Sequence, residues 1–349
     1  MRTLGLALVF AALLPGSTIY TVVDLGGLGG SNSNGFQIND AGAVVGWADT
    51  ITGAQQAFLS SSGAPAQALP SSGASDSYAY GINDADVIVG TAYVNGEVHG
   101  VIWAGAASKD LGAGIFATAI NASGVIAGSN GHAFRLVNGT YQDLGVLAGG
   151  DWSAAYSLND AGTAAGCGDL ASGLMRAVVW NADGSSMQLG TLGGANSYAA
   201  AINNNGTVVG HSGTASGYEH AFVEANGAMH DLGTLNGGSS YAYGINDSGS
   251  IVGYSWSDIE DNPRAFLYSD GGMQDLNALI GGAAGWQLLE AYGINASGEI
   301  AGVGLHNGKS TAFLLEPDPV PEPRGLSVIL FTLGLFAVFL RQLRMRYRS

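Results

Sequence analysis

Ile38-Asn39-Asp40-Ala41-Gly42-Ala43-Val44-Val45-Gly46 decides the fold, because the chain repeats it seven times in this or a closely related form. The Asn recurs at Asn83, Asn121, Asn159, Asn203, Asn246 and Asn295. Seven residues beyond each Asn stands a Gly: Gly46, Gly90, Gly128, Gly166, Gly210, Gly253 and Gly302. Successive Asn residues are 44, 38, 38, 44, 43 and 49 positions apart. A unit of that size cannot bury a core alone and must stack on its neighbours in a toroid, solenoid or array.

Side chains alternate in size on the approach to each Asn. One position before it stands Ile or Leu, and three before it stand Phe36, Tyr80, Thr118, Tyr156, Ala200, Tyr243 and Tyr292. Small residues lie between, as in Ala79 and Gly81, so the period of two predicts a strand covered on both faces. Asn-Asp-x-Gly then suits a type I turn closed by a left-handed residue, with Asn and Asp side chains bonded to local backbone rather than to a metal. Gly supplies the positive φ in six copies, and Asp86 stands there in the other. A Val-Val-Gly-like second strand follows. A third carries Ala57-Phe58-Leu59 or a relative, and a fourth ends in Asp-Leu-Gly, as at Asp110-Leu111-Gly112, Asp143-Leu144-Gly145 and Asp231-Leu232-Gly233. Four short strands per unit is the content of a propeller blade.

The order of strands favours a closed ring. No Asp-Leu-Gly strand follows Ala312-Phe313-Leu314, and the missing piece stands at the front as Thr21-Val22-Val23-Asp24-Leu25-Gly26. A ring uses that offset, because the N-terminal strand completes the last blade and leaves no long free edge. The expectation is an all-β, seven-bladed β-propeller of four-stranded blades over residues 16–316, with strand 21–25 paired to strand 311–315.

The segment from Asp231-Leu232-Gly233 through Tyr243-Gly244-Ile245-Asn246-Asp247, with His132-Ala133-Phe134 and His220-Ala221-Phe222, resembles the bacterial extracellular HAF-repeat family. The resemblance covers most of the chain. It implies an exported repeat protein and brings no enzymatic chemistry to carry over to named residues.

The ends concern destination. Residues 1–15 have the layout of a secretory signal peptide, with Arg2 ahead of an apolar run. Residues 317–324 form a Pro-rich linker, 325–341 an expected transmembrane helix and 342–349 a basic cytoplasmic tail. Arg341, Arg344, Arg346 and Arg348 would hold that end inside the cytoplasmic membrane. Val320, Pro321, Glu322 and Pro323 ahead of such a helix resemble a PEP-CTERM sorting signal. That resemblance implies processing by an exosortase and a link to exopolysaccharide-producing bacteria. An ordinary unprocessed anchor is the plainer alternative.

From Gly16 to Pro319 there are 26 acidic and 5 basic residues, a net charge of −21. A domain so acidic should repel nucleic acid, which is held through Lys and Arg. Cys167 is the single cysteine, so no intramolecular disulfide forms and an inert buried thiol is expected.

Catalytic signatures are sparse. Gly112-Ala113-Gly114-Ile115-Phe116-Ala117 matches a dinucleotide fingerprint as a string but leads into a strand rather than a helix. The position before Ala-Phe holds Gln56, His99, His132, Arg176, His220, Arg264 and Thr311, best read as polar residues bonded within their own blades. Asp258, Glu260 and Asp261 cluster in one loop and offer oxygen ligands to Ca²⁺, although the spacing fits no EF-hand. Trp47, Trp152, Trp256 and Trp286 fall at strand ends or loops among small polar residues, which suits a glycan platform, or else rim packing. No other cofactor is expected. The reading is a cell-surface or secreted structural or binding protein of the envelope or polysaccharide matrix. A polysaccharide lyase or glycosidase on the same scaffold is the alternative, and it would need carboxylates gathered in one pocket. Asp40, Asp84, Asp160 and Asp247 are expected to be dispersed around the ring.

Overall fold

Each Asn motif forms the turn its residues dictate. In all seven, the Asn amide donates to the carbonyl four residues on, and the residue three positions on donates back to the Asn carbonyl, as in Asn39 to Ala43 and Gly42 to Asn39, both 3.0 Å. The closing residue has positive φ in every copy, from 77° at Gly42 to 85° at Gly249, and Asp86 adopts 55° where it replaces Gly. Asn Oδ1 adds a bond to the amide four residues on, 2.8 Å at Ala43. This computed structural model describes residues 19–71, 73–257 and 262–318. The expected signal peptide, the sorting motif Val320–Pro323, the transmembrane helix, the tail arginines, and Asp258, Glu260 and Asp261 lie outside the described residues.

Those turns join the first two strands of seven four-stranded antiparallel sheets. Blade 1 consists of Gly29–Ile38, Val44–Thr50, Gln55–Ser60 and Gln67–Ala68, and blades 2 to 6 follow the same order through Asp275. Blade 7 takes Trp286–Ile294, Ile300–His306 and Lys309–Pro317 from the end of the chain and Tyr20–Asp24 from its start. Val22 pairs with Leu315, Val23 with Leu314 and Asp24 with Phe313, so the ring closes where the strand offset predicts. First strands of neighbouring blades touch around the axis. The chain is a seven-bladed β-propeller.

The core lies between blades. The third-strand phenylalanines Phe58, Phe134, Phe222, Phe266 and Phe313 are fully buried, each worth roughly 1.5–3 kcal/mol of transfer free energy. One cluster joins Val45, Ala57 and Leu69 of blade 1 to Ala79, Ile82 and Trp103 of blade 2, so no blade keeps its apolar face without a neighbour. A serine bolts five of the seven junctions. Ser33, Ser77, Ser153, Ser197 and Ser240 accept the amide of the third-strand Ala of the preceding blade at 2.8–3.0 Å. Ser33, Ser153 and Ser240 also donate to the carbonyl of the Gly ending Asp-Leu-Gly, at 2.5–2.7 Å.

The seven Asn side chains form a second closure. Each Nδ2 donates to the backbone carbonyl of the next Asn around the ring at 3.0–3.2 Å, and Asn295 completes the circle on Asn39. With Oδ1 bonded inside its own turn, one buried amide satisfies two backbones, which explains a residue type shared by all seven units.

Candidate functional site

The second-strand glycine shapes the axis. Each first strand carries a one-residue bulge opposite that glycine, for example between Gly35 and Gln37 facing Gly46. A Cβ on any of the seven glycines would stand 1.8–2.1 Å from a first-strand carbonyl oxygen, far inside van der Waals contact. Only glycine allows the bulge. The bulged residue is in turn Phe36, Tyr80, Thr118, Tyr156, Ala200, Tyr243 and Tyr292, and all seven line one axial cavity of about 650 Å³. Strict alternation read from sequence fails at this point, because the extra residue resets the pleat and sends this position to the axis.

Four bulged rings from adjacent blades make a continuous arc. Tyr80 stacks on Phe36 at 5.6 Å between centroids, Phe36 meets Tyr292 edge-on at 5.5 Å, and Tyr292 meets Tyr243 at 5.3 Å. Thr118 and Ala200 stand at the same level in blades 3 and 5, and their small side chains leave the cavity its room. Phe116, Tyr198 and His211 extend the lining. Tyr198 stacks on His211 at 4.8 Å, and Tyr241 closes on the imidazole at 4.9 Å.

The polar groups here are unusual. Burial pushes His211 down to about 4, so the imidazole is neutral at pH 7, and its Nδ1 has no hydrogen-bond partner. Burial raises Glu219, whose Oε2 is also unpartnered, as is Asn34 Oδ1. Glu219 pairs in register with Gly213, two residues along the sheet face that carries His211. Burial likewise raises Glu290, whose carboxyl bonds the Tyr292 hydroxyl. Cys167 is fully buried with its sulfur 3.4 Å from the Tyr156 hydroxyl, and burial pushes its thiol up to about 11, as an inert cysteine requires.

At the turn end, the Ile and Leu that precede each Asn ring the axis, and beyond them lies a smaller space of about 220 Å³. Asp40, Asp84, Asp160 and Asp247 line this one mouth, which corrects the expectation that the ring disperses them. All four Oδ1 atoms are nonetheless engaged, each accepting an amide of the adjacent blade at 2.8–3.0 Å. Among the described residues, no group of three or more His, Cys, Asp or Glu is placed to hold a metal ion.

The other sequence-derived candidates fall in separate places. His99, His132 and His220 bond Asp110, Asp143 and Asp231 of their own blades at 2.8–3.0 Å, and Arg264 bonds Asp275 at 2.7 Å. Gln56 caps the Leu69 carbonyl. Trp47 lies within a strand and packs edge-on against Tyr78, while Trp286 stacks on His306 at 4.5 Å. Trp152 and Trp256 are exposed, by 36% and 42%, on blades 4 and 6 at strand ends remote from the Asn turns. Among the described residues no ring contact joins any two of these tryptophans. Gly112 to Ala117 runs from the end of the strand Ala107–Ala113 into the strand Phe116–Ile120, not into a helix, as its context predicted.

No family model matches the chain, and no characterised protein matches it by sequence. Solved structures similar to it include TolB from Acinetobacter baumannii, at 14% identity and a TM-score of 0.42 over 63% of this chain. The chain spans 59% of that protein. A structure assigned to TolB from Agrobacterium tumefaciens shows 11% identity and a TM-score of 0.46 over 87% of this chain and 100% of the other. A gluconolactonase from Xanthomonas campestris shows 12% identity and a TM-score of 0.42, over 87% and 96%. At these levels of likeness nothing about ligand or chemistry carries across.

Proposed function

We propose that the protein is an exported binding protein of the cell envelope or its extracellular polysaccharide matrix, with a carbohydrate ligand held at the end of the axis remote from the Asn turns. One observation carries this reading: seven bulged first strands turn five aromatic side chains into a single cavity of ligand size. Trp152 and Trp256 are exposed at strand ends on that side of blades 4 and 6, separate from the cavity lining, and offer further flat apolar faces to a polymer. The signal-like residues 1–15, the sorting motif Pro321-Glu322-Pro323 and the basic tail support export and handling by an exosortase at the cytoplasmic membrane. A charge of −21 over residues 16–319 suits a soluble surface domain that does not adsorb to anionic layers.

Two carboxyl groups raised by burial, Glu219 and Glu290, favour the second reading of an extracellular lyase or glycosidase, because raised carboxyls serve as general acids. The test uses full-length protein on immobilised neutral and acidic polysaccharides. We expect retention without shortening of the polymer. Trp152→Ala and Trp256→Ala should weaken retention while melting stays nearly unchanged, since an exposed ring contributes little to folding. Pro321→Ala with Glu322→Ala should leave the protein in the membrane with its tail attached. Polymer cleavage would select the enzyme, and no retention on any polysaccharide would sink the binding reading.

A further inference from the structure

We infer that the axial cavity is a recognition site for a short, neutral saccharide, stacked on the Tyr80–Phe36–Tyr292–Tyr243 arc and hydrogen-bonded by His211 Nδ1. This rests on the reading of the protein as a carbohydrate binder and narrows it to a place and a class of sugar. At about 650 Å³ the cavity has the size of a site for one small ligand. Flat aromatic faces on one wall suit the apolar faces of pyranose rings.

The polar atoms select the ligand further. His211 lines the cavity and its Nδ1 is buried without a partner, an arrangement that folded proteins avoid unless something else supplies the bond. A sugar hydroxyl can donate to that nitrogen and still accept a bond itself. A depressed imidazole is neutral and accepts at Nδ1 when its proton is on Nε2. No Lys or Arg lines the cavity, and the surrounding domain is strongly acidic, so uronic acids and other anions are disfavoured. An amine is the poorer fit, because no Asp or Glu lines the cavity.

The vacant side of the cavity gives the test. Ala200 stands where blades 2, 4, 6 and 7 carry Tyr, so Ala200→Tyr writes into blade 5 a residue that the same bulge already holds elsewhere. Titration calorimetry on full-length protein would use cello-, xylo- and manno-oligosaccharides, with oligogalacturonate and chitosan oligomers alongside. We expect a neutral oligosaccharide to bind wild type and to bind Ala200→Tyr at least about tenfold more weakly, with an unchanged melting temperature. His211→Phe keeps a ring against Tyr198 and removes the nitrogen, and it should weaken binding to a similar degree. It decides the matter if Ala200→Tyr fails to fold. Unchanged affinity in the variant that folds overturns the cavity assignment, even where polysaccharide retention through the exposed tryptophans persists. Binding of the acidic or amino sugars alone, or of none, overturns it too, whereas loss of polymer retention in wild type is the separate outcome that removes the carbohydrate reading itself.

Discussion

The two ends of the propeller axis are built by the same seven strands and follow opposite rules. At the turn end every unit supplies the same Asn, every Asn Nδ2 reaches the next blade at 3.0–3.2 Å, and the circle closes between Asn295 and Asn39. Three residues earlier in the same strands, the units supply Phe, Tyr, Thr or Ala, and nearby polar atoms of His211, Glu219 and Asn34 lack partners. Where the ring must close, each blade meets an equivalent neighbour, so one residue type solves all seven junctions. At the cavity, seven equal walls would give a symmetrical tube. Departure from the repeat makes a pocket with distinct sides. Sameness closes the ring and difference shapes the cavity.

The glycine that shapes both regions offers the largest perturbation. In Gly210→Ala the new Cβ would meet the Tyr198 carbonyl oxygen at 1.9 Å, so the bulge must be undone and the first strand of blade 5 shifted by one residue. We expect a loss of about 3 kcal/mol or more, or failure to fold. Any folded fraction should lose the cavity, because Ala200 is the bulged residue and Tyr198 lies two positions before it, both in the lining. A melting temperature within a degree or two of wild type would show that the bulge does not depend on glycine.

Much of this was legible beforehand, for physical reasons particular to each element. Asn-Asp-x-Gly is local chemistry, and Asp86 taking φ 55° in place of glycine shows how far the turn could be read from its residues. The offset of strand types announced ring closure because only a ring uses it. The cavity was hidden, since a bulge changes register and a one-residue shift turns a side chain to the other face. The aromatic residues three positions before each Asn were in view and were placed on a pleat that does not continue. The glycine seven residues beyond each Asn, present in all seven units, was the signal that a backbone approaches closely. The partners of His99, His132, His220 and Arg264 could also have been found, because each lies eleven residues before its Asp. The unpartnered atoms of His211 and Glu219 depend on packing between blades, which no repeat pattern records.

A perturbation of middle size tests whether the Asn circle is a closure or an ornament of the turn. Asn203→Ala removes the bond to the Asn246 carbonyl at 3.0 Å and the Oδ1 bond to the Thr207 amide at 2.9 Å, leaving buried backbone groups unmatched. The expected cost is roughly 1–3 kcal/mol, or several degrees in melting temperature for a chain of this size. Ala200→Tyr, three residues earlier in the same strand, should cost little by comparison. Equal losses at the two positions would end the contrast between a fixed end and a variable one.

The smallest effect lies at the periphery, where His132 and Asp143 are both exposed and 3.0 Å apart. The Gly145 amide first, and then His132, hold the Asp143 carboxyl below its ordinary range. A carboxyl depressed in the folded state contributes stability above its unfolded value, near 4, and that contribution is lost as pH falls through the folded value. Asp143→Asn should therefore melt slightly below wild type at neutral pH, by less than about 1 kcal/mol given the solvent screening of so exposed a pair. The gap should close as pH falls through the folded value, once the wild-type carboxyl is protonated. His132→Ala should lose less than Asp143→Asn, because the Gly145 bond remains. If the histidine variant proved the weaker of the two, the ion pair rather than the Asp-to-glycine turn would be what ties the outer strand, and the outer rim would join the Asn circle among the parts that hold the ring closed.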